Sequence, residues 1–195
     1  MSGPRPSNEV VIMTSEQMSR TITRLAHEII EKNPDAHELA IVGIHTRGAF
    51  LGERLHQLLC RAGGCRYAVG NLDITFYRDD VGARSATGVA PMTIAPVVKG
   101  SELPFPVEGA TIILVDDVLY TGRTIRAAID ALFDFGRPAG VQLAVLIDRG
   151  HRVLPFRPDY VGKNVPTAQR ERIGVRFPES DGAEEVVLVR AADDE

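Results

Sequence analysis

Three runs of this chain, LAIVGI (39–44), TIILVD (111–116) and VQLAVLID (141–148), are rich in β-branched residues and almost wholly apolar. A strand wet on one face alternates apolar and polar residues, so near-unbroken runs describe strands covered on both faces, as in a parallel sheet. Helical patterns lie around and between them. Met18, Ile22, Leu25 and Ile29 recur at helical spacing behind a capping box at Thr14 to Gln17 and before the break at Asn33-Pro34. A second helix is predicted from about Ala49 to Arg61, stopped by Gly63-Gly64. A third carries Ile125, Ala128, Ile129, Leu132 and Phe133 and ends at Gly136. AVGNLDITFY (68–77) reads as a further strand, and VQLAVLID closes the parallel series. Buried strands alternating with amphipathic helices predict an α/β, doubly wound sheet that binds ligands beyond the carboxyl ends of its strands.

Two segments break this rhythm. Residues 79–106 are rich in proline and glycine with little periodicity, which predicts a long flexible loop, and residues 149–170 look like an irregular cap. After the cap, ERIGVRF and EVVLVR flank Asp181-Gly182, a hairpin signal. With 195 residues, 44% of them hydrophobic, one domain over 14–195 behind a flexible N-terminus (1–13) accounts for the chain. No segment approaches the roughly 20 apolar residues of a membrane span, so a cytoplasmic protein without membrane contact is expected. The net charge of −4 gives no general attraction to polyanions, and any such site must be local. His56 lies four residues before Cys60, and Cys65 is the other cysteine. FLGERLHQLLC reads as an amphipathic helix, so these are expected to be structural thiols rather than parts of a metal cluster.

The chemistry concentrates at the end of TIILVD. Asp116 and Asp117 close the strand, and the helix containing Ile125 begins a few residues later, so VLYTGRT is a strand-to-helix turn at the ligand edge of the sheet. Small and hydroxyl residues at a helix N-terminus expose N–H groups and form a phosphate site. Adjacent carboxylates would repel that phosphate unless they face hydroxyl groups or a divalent cation, and a ribose phosphate with Mg²⁺ offers both. Other phosphate motifs are absent: Gly43 to Gly48 has G-x-x-x-x-G spacing but is followed by Ala49-Phe50, and no G-x-G-x-x-G occurs. A second turn, Thr46-Arg47-Gly48, follows LAIVGI; Gly48 permits close backbone approach and Arg47 can neutralise a charged leaving group.

ILVDDVLYTGRT resembles the phosphoribosyl pyrophosphate (PRPP) signature of type I phosphoribosyltransferases. VGIHTRG, LDITFYRDD, DDVLYTGRT, DRGH and DYVGKNVPT resemble, in that order, segments of the PyrR family, uracil phosphoribosyltransferases that also regulate pyrimidine operons. The likeness runs from about Thr14 to Arg190. It implies a type I phosphoribosyltransferase fold: a mostly parallel twisted sheet flanked by helices, a small irregular cap or hood at about 149–173, and a C-terminal β-hairpin. It further implies that Asp116 and Asp117 hold the ribose hydroxyls, directly or through waters of Mg²⁺. Thr121, Gly122, Arg123 and Thr124 would grip the 5′-phosphate, with Val118, Leu119 and Tyr120 completing the nucleotide site. Thr46, Arg47 and Gly48 resemble the family's pyrophosphate loop, over which Arg78 and Lys99 would close. Uracil would lie under the cap near Arg149 and Ile173. Purine-specific relatives carry a carboxylate where Tyr120 stands, and a tyrosine, with a reference pKa of about 10, is a poor base at neutral pH.

The resemblance also implies binding of pyrimidine operon leader mRNA, tuned by UMP and UTP, through residues matching Thr23, His27, His151, Arg152, Arg157 and Lys163. From Arg149 to Arg176 there are seven Lys/Arg against Asp159 and Glu171, followed by an acidic tail, so a net-negative chain can carry a basic face. A homodimer or higher homo-oligomer is expected, since two subunits would join these patches into one groove. The chain departs from the family where Val153 replaces the usual Glu and where Thr167-Ala168-Gln169-Arg170 replaces a Ser-containing segment, both in the cap. Three readings stand: a uracil phosphoribosyltransferase, a nucleotide-responsive RNA regulator with vestigial catalysis, and a phosphoribosyltransferase for another base.

Overall fold

The computed structural model describes residues 8–34, 38–63, 67–77 and 100–190. The expectations for Arg78, Lys99, Cys65 and residues 79–99 fall outside them. The first strand, β1 (Glu9–Thr14), runs into helix α1 (Ser15–Lys32), followed by β2 (Leu39–Ile44), α2 (Arg47–Gly63) and β3 (Ala68–Leu72). A short 3-10 turn spans Thr75–Tyr77. Then come β4 (Thr111–Leu119), α3 (Arg123–Phe133), β5 (Gly140–Asp148), β6 (Tyr160–Asn164), β7 (Arg172–Arg176), the single turn α4 (Pro178–Asp181) and β8 (Glu185–Val189).

Five strands form a sheet in the order β3-β2-β4-β5-β6, with every neighbouring pair parallel. Its faces follow the two-residue period of the strands. Leu39, Ile41, Ile113, Val115, Ala144 and Leu146 face one way and pack with Met18, Ile22, Leu25 and Ile29 of α1 and Leu51, Leu55 and Leu59 of α2. Ala40, Val42, Ile44, Ile112, Leu114, Leu143 and Val145 face the other way, onto Ile125, Ala128 and Leu132 of α3. Helix α1 starts with the anticipated capping box: the Thr14 hydroxyl accepts from the Gln17 N–H, and the Gln17 side chain accepts from the Thr14 N–H at 2.9 Å. A second sheet, β1-β8-β7, is antiparallel. Its Val175 and Val186, with Phe177, join the core on the α1/α2 side, so both sheets share one apolar interior.

Four expectations are corrected. Residues 9–13, assigned to a flexible N-terminus, form β1 and pair with β8. VQLAVLID does not close the parallel series: the cap contributes β6, whose Tyr160 and Val161 pair with Ala144 and Val145. The strand expected over 68–77 stops at Leu72, because the Asp73 carboxylate accepts from both the N–H and the hydroxyl of Thr75 and turns the chain. Part of the expected flexible loop is fixed, since Glu102 exchanges two backbone hydrogen bonds with Asn71, each 2.8 Å.

Candidate active site

Strands β2 and β4 lie side by side and parallel, with Gly43 opposite Val115, so their carboxyl ends open at the same edge. Strand β4 continues through the two acids to Leu119, because β5 pairs with it as far as Leu119 opposite Asp148. Although side chains alternate along a regular strand, the Asp116 and Asp117 carboxyl groups lie within hydrogen-bonding reach of each other. The Asp117 N–H also donates to the Asp116 carboxylate at 3.0 Å, and the Val118 N–H donates to that of Asp117 at 2.9 Å. Asp116 is buried. Burial also pushes the Asp117 carboxyl up from its ordinary value, against the opposing pull of Asp116, the Val118 N–H and the charge of Arg47.

The turn after β2 reaches the same point. Thr46 and Arg47 are exposed at the start of α2, and the peptide joining His45 to Thr46 is cis. Gly48 lies directly on β4: a methyl group there would stand 2.5 Å from the Val115 carbonyl oxygen and 3.2 Å from the Asp116 Cα. Only glycine lets this turn touch the strand that carries the acids. The Arg47 guanidinium, in turn, is 3.0 Å from the Asp181 carboxylate of α4.

Between β4 and α3, Gly122 stands at φ +90°, where only glycine is unstrained, and precedes a first helical turn that has no side-chain cap. The leading N–H groups of α3 lie at the positive end of the helix dipole. The Arg123 N–H leans on the Thr121 hydroxyl at 3.3 Å. The cap braces the turn from behind. The Thr121 carbonyl accepts from the N–H groups of Val153 (3.0 Å) and Leu154 (2.9 Å). Arg152 is enclosed: it pairs with Asp148 at 2.6 Å and donates to the carbonyls of Tyr120 (2.9 Å), Phe156 (3.0 Å) and Gly150 (3.2 Å).

Arg149 is buried beside this turn. It donates to the Thr167 hydroxyl and the Glu171 carbonyl, and its guanidinium carbon lies 4.0 Å from the centre of the Tyr120 ring. Ile173 follows two residues after Glu171 on β7 and packs on the core, so the two ends of the proposed base site are tied together. Thr23 and His27 share the outer side of α1, where the Thr23 hydroxyl donates back to the Ser19 carbonyl. His151 meets the Thr167 carbonyl at 2.6 Å and stands edge-on to Tyr120. Arg157 is exposed, and Lys163 on β6 is exposed with its ammonium donating to the Ile12 carbonyl. The structure therefore gathers Thr46 to Gly48, Asp116 to Thr124 and Arg149 at one edge. Arg152, expected to face RNA, points inward. Sequence reasoning missed Asp148 and Asp181; Asp148 carried a signal, an acid at a strand's carboxyl end four residues before an arginine.

Residues 12–179 match the family model of the phosphoribosyl transferase domain. The bifunctional protein PyrR of Listeria monocytogenes serovar 1/2a is 50% identical over 93% of this chain and 96% of its own. That of Roseiflexus sp. is 54% identical over 93% of this chain and 94% of its own. The chain belongs to the PyrR family. Its fold is the type I phosphoribosyltransferase fold, as solved structures also indicate. The hypoxanthine phosphoribosyltransferase of Trypanosoma cruzi in complex with IMP superposes with a TM-score of 0.67 at 18% identity, over 96% of this chain and 94% of that one. The enzyme of the same name from Staphylococcus aureus gives 0.67 at 16% identity over the whole of both chains. PyrR membership makes the chain a phosphoribosyltransferase, and the five motifs quoted above are those through which the resemblance was visible.

Proposed function

We propose that this protein converts PRPP and uracil to UMP and pyrophosphate, and that it also binds leader RNA of pyrimidine genes in response to uridine nucleotides. The observation that carries the catalytic reading is the contact of Gly48 with the β4 backbone at Val115 and Asp116. It joins an arginine-bearing turn to the strand that carries two carboxylates and leads into the N-terminus of α3, matching the order of pyrophosphate, ribose and 5′-phosphate along PRPP. Thr121 to Thr124 hold the 5′-phosphate with backbone N–H groups and hydroxyls. Asp116 and Asp117 orient the ribose hydroxyls. Uracil lies against the Tyr120 and Arg149 side of the turn, and Tyr120 stands where purine-specific relatives carry a carboxylate. The N1–C1′ bond forms as the C1′–oxygen bond of pyrophosphate breaks. The leaving group takes the bonding electrons, and the N1 proton is released. Thr46, Arg47 and the Gly48 backbone stabilise the charge that collects on pyrophosphate as the ring becomes oxocarbenium-like.

Among the described residues no cluster of three or more His, Cys, Asp or Glu is arranged to hold a metal. Two adjacent carboxylates beside a phosphate site fit Mg²⁺, which binds through one or two carboxylates together with substrate oxygens and waters. When bound it would neutralise pyrophosphate charge. Thr23, His27, His151, Arg157 and Lys163 supply an RNA surface, with Arg152 acting through the shape of the cap. Among the described residues no helix is long and apolar enough to cross a membrane. The test is product formation from PRPP and Mg²⁺ with uracil, hypoxanthine, guanine or orotate. UMP from uracil, with the other bases at least about a hundredfold slower, supports the reading; preference for another base overturns it.

A further inference from the structure

The C-terminal segment after β7 lies against the pyrophosphate turn and is bolted there. Arg54 of α2 pairs with Glu179 at 3.1 Å and with Glu184, and lies 4.9 Å over the Phe177 ring, while Ser15 donates to Glu184. Within this fixed frame the Asp181 carboxylate is held by one oxygen. Oδ2 accepts from the Phe177 N–H at 3.0 Å and from the Ser180 hydroxyl at 2.7 Å. Oδ1 is left to receive Arg47 Nη2 at 3.0 Å. A free arginine on a turn samples many rotamers, and fixing it before the anion arrives removes that entropy from binding. Because Asp181 engages only Nη2, the rest of the guanidinium can face a second anion.

We infer that Asp181 is a positioning residue that presents Arg47 to the pyrophosphate group of PRPP, so that the C-terminal hairpin contributes to substrate affinity without touching substrate. The inference rests on the proposed role of the Thr46 to Gly48 turn. It distinguishes the two ends of the substrate: losing Asp181 should matter to ligands that carry pyrophosphate and not to UMP, which lacks it. General damage to the fold would affect both alike.

The experiment compares full-length wild type with Asp181→Asn, Asp181→Glu, Arg47→Ala and the Asn/Ala double variant. The readouts are KM for PRPP, inhibition by magnesium pyrophosphate and the Kd of UMP. Asp181→Asn should raise the PRPP KM and the pyrophosphate inhibition constant about fivefold, as expected for a partly exposed ion pair. UMP Kd should stay within about twofold, Glu should restore part of the loss, and the double variant should bind PRPP no worse than Arg47→Ala. Unchanged PRPP and pyrophosphate affinity in Asp181→Asn, beside a clear loss in Arg47→Ala, overturns this inference alone. Additive losses, or UMP weakened to the same degree, also overturn it. No effect of Arg47→Ala on PRPP or pyrophosphate removes the pyrophosphate reading of the turn, and this inference with it.

Discussion

Asp117 is held in a setting that penalises its charge. Burial raises its carboxyl above the ordinary range, so the folded protein binds that proton more tightly than the unfolded chain does. Stability should therefore fall as pH rises from the ordinary carboxylate value through the raised one, and be flat beyond it. Asp117→Asn should accordingly raise the Tm of ligand-free protein at neutral pH, and the gain should vanish below the ordinary carboxylate range, where both side chains are neutral. Thermal melts across pH check this, and a lower Tm for the variant at neutral pH would contradict it. Gly122 gives a second prediction at this scale. A side chain at φ +90° is strained, and its Cβ would stand 2.9 Å from Phe156. Gly122→Val should thus shift the turn and weaken UMP binding at least about tenfold, close to 1.4 kcal/mol. Calorimetry showing wild-type UMP affinity would place the 5′-phosphate elsewhere.

Among the elements, the cap is the part whose form was least legible. LAIVGI was read to the residue because an all-buried strand has a local signature, and α1 because its capping box and apolar spacing are local too. The strand β6 has no such signature. YVGKN is short and half polar, and its place depends on β5 and on Gly162, where a methyl would meet the Leu146 carbonyl oxygen at 2.3 Å. Strand β1 depends on a partner that follows it by more than 170 residues, Val10 opposite Leu188. The place of the acids at the end of β4 and of the Thr-Gly-Arg-Thr segment at the start of α3 was readable because it is contiguous in the sequence. Asp181 was read as a turn residue, since nothing in its neighbourhood announces Arg47. Arg152 shows the same limit: its sequence suits a basic surface, but its guanidinium fixes the carbonyls of Tyr120, Gly150 and Phe156 behind the β4–α3 turn. Truncating it would take the guanidinium donors from Asp148 Oδ2 and these carbonyls, a loss of about 1–3 kcal/mol, while Asp148 Oδ1 keeps the Gly150 N–H. Arg152→Ala should therefore lower Tm and weaken UMP several-fold, whereas Arg157→Ala should change neither. Melting and UMP titration of both variants check this; equal behaviour of the pair would contradict it.

For the molecule as a whole, the structure sorts the basic residues of the 149–176 region. Arg149 and Arg152 are turned inward, and Arg176 pairs with Glu9 and Glu185 at 2.7 and 2.8 Å. Arg157, Lys163, Arg170 and Arg172 remain at the surface. The proposed RNA surface would draw its charge from these exposed residues, and a homo-oligomer, if formed, would join two such sets. Replacing Arg157 and Lys163 with Ala should weaken binding of the pyrimidine leader transcript and flatten its log-log salt dependence by roughly 1.4, from about 0.7 per phosphate contact on single-stranded RNA. Turnover of uracil should be kept, because neither residue faces the nucleotide turn. Filter binding across salt concentrations checks this, and an unchanged slope would remove the two residues from the RNA surface. The central claim, that one edge of the parallel sheet holds PRPP through β4 and the turn that follows it, is tested most directly by the rate of UMP formation from PRPP and uracil in wild type and in Asp116→Asn/Asp117→Asn. The double variant should melt cooperatively and lose all but a few per cent of activity. A folded double variant that keeps more than about a tenth of wild-type activity, a barrier change below about 1.4 kcal/mol, would contradict it.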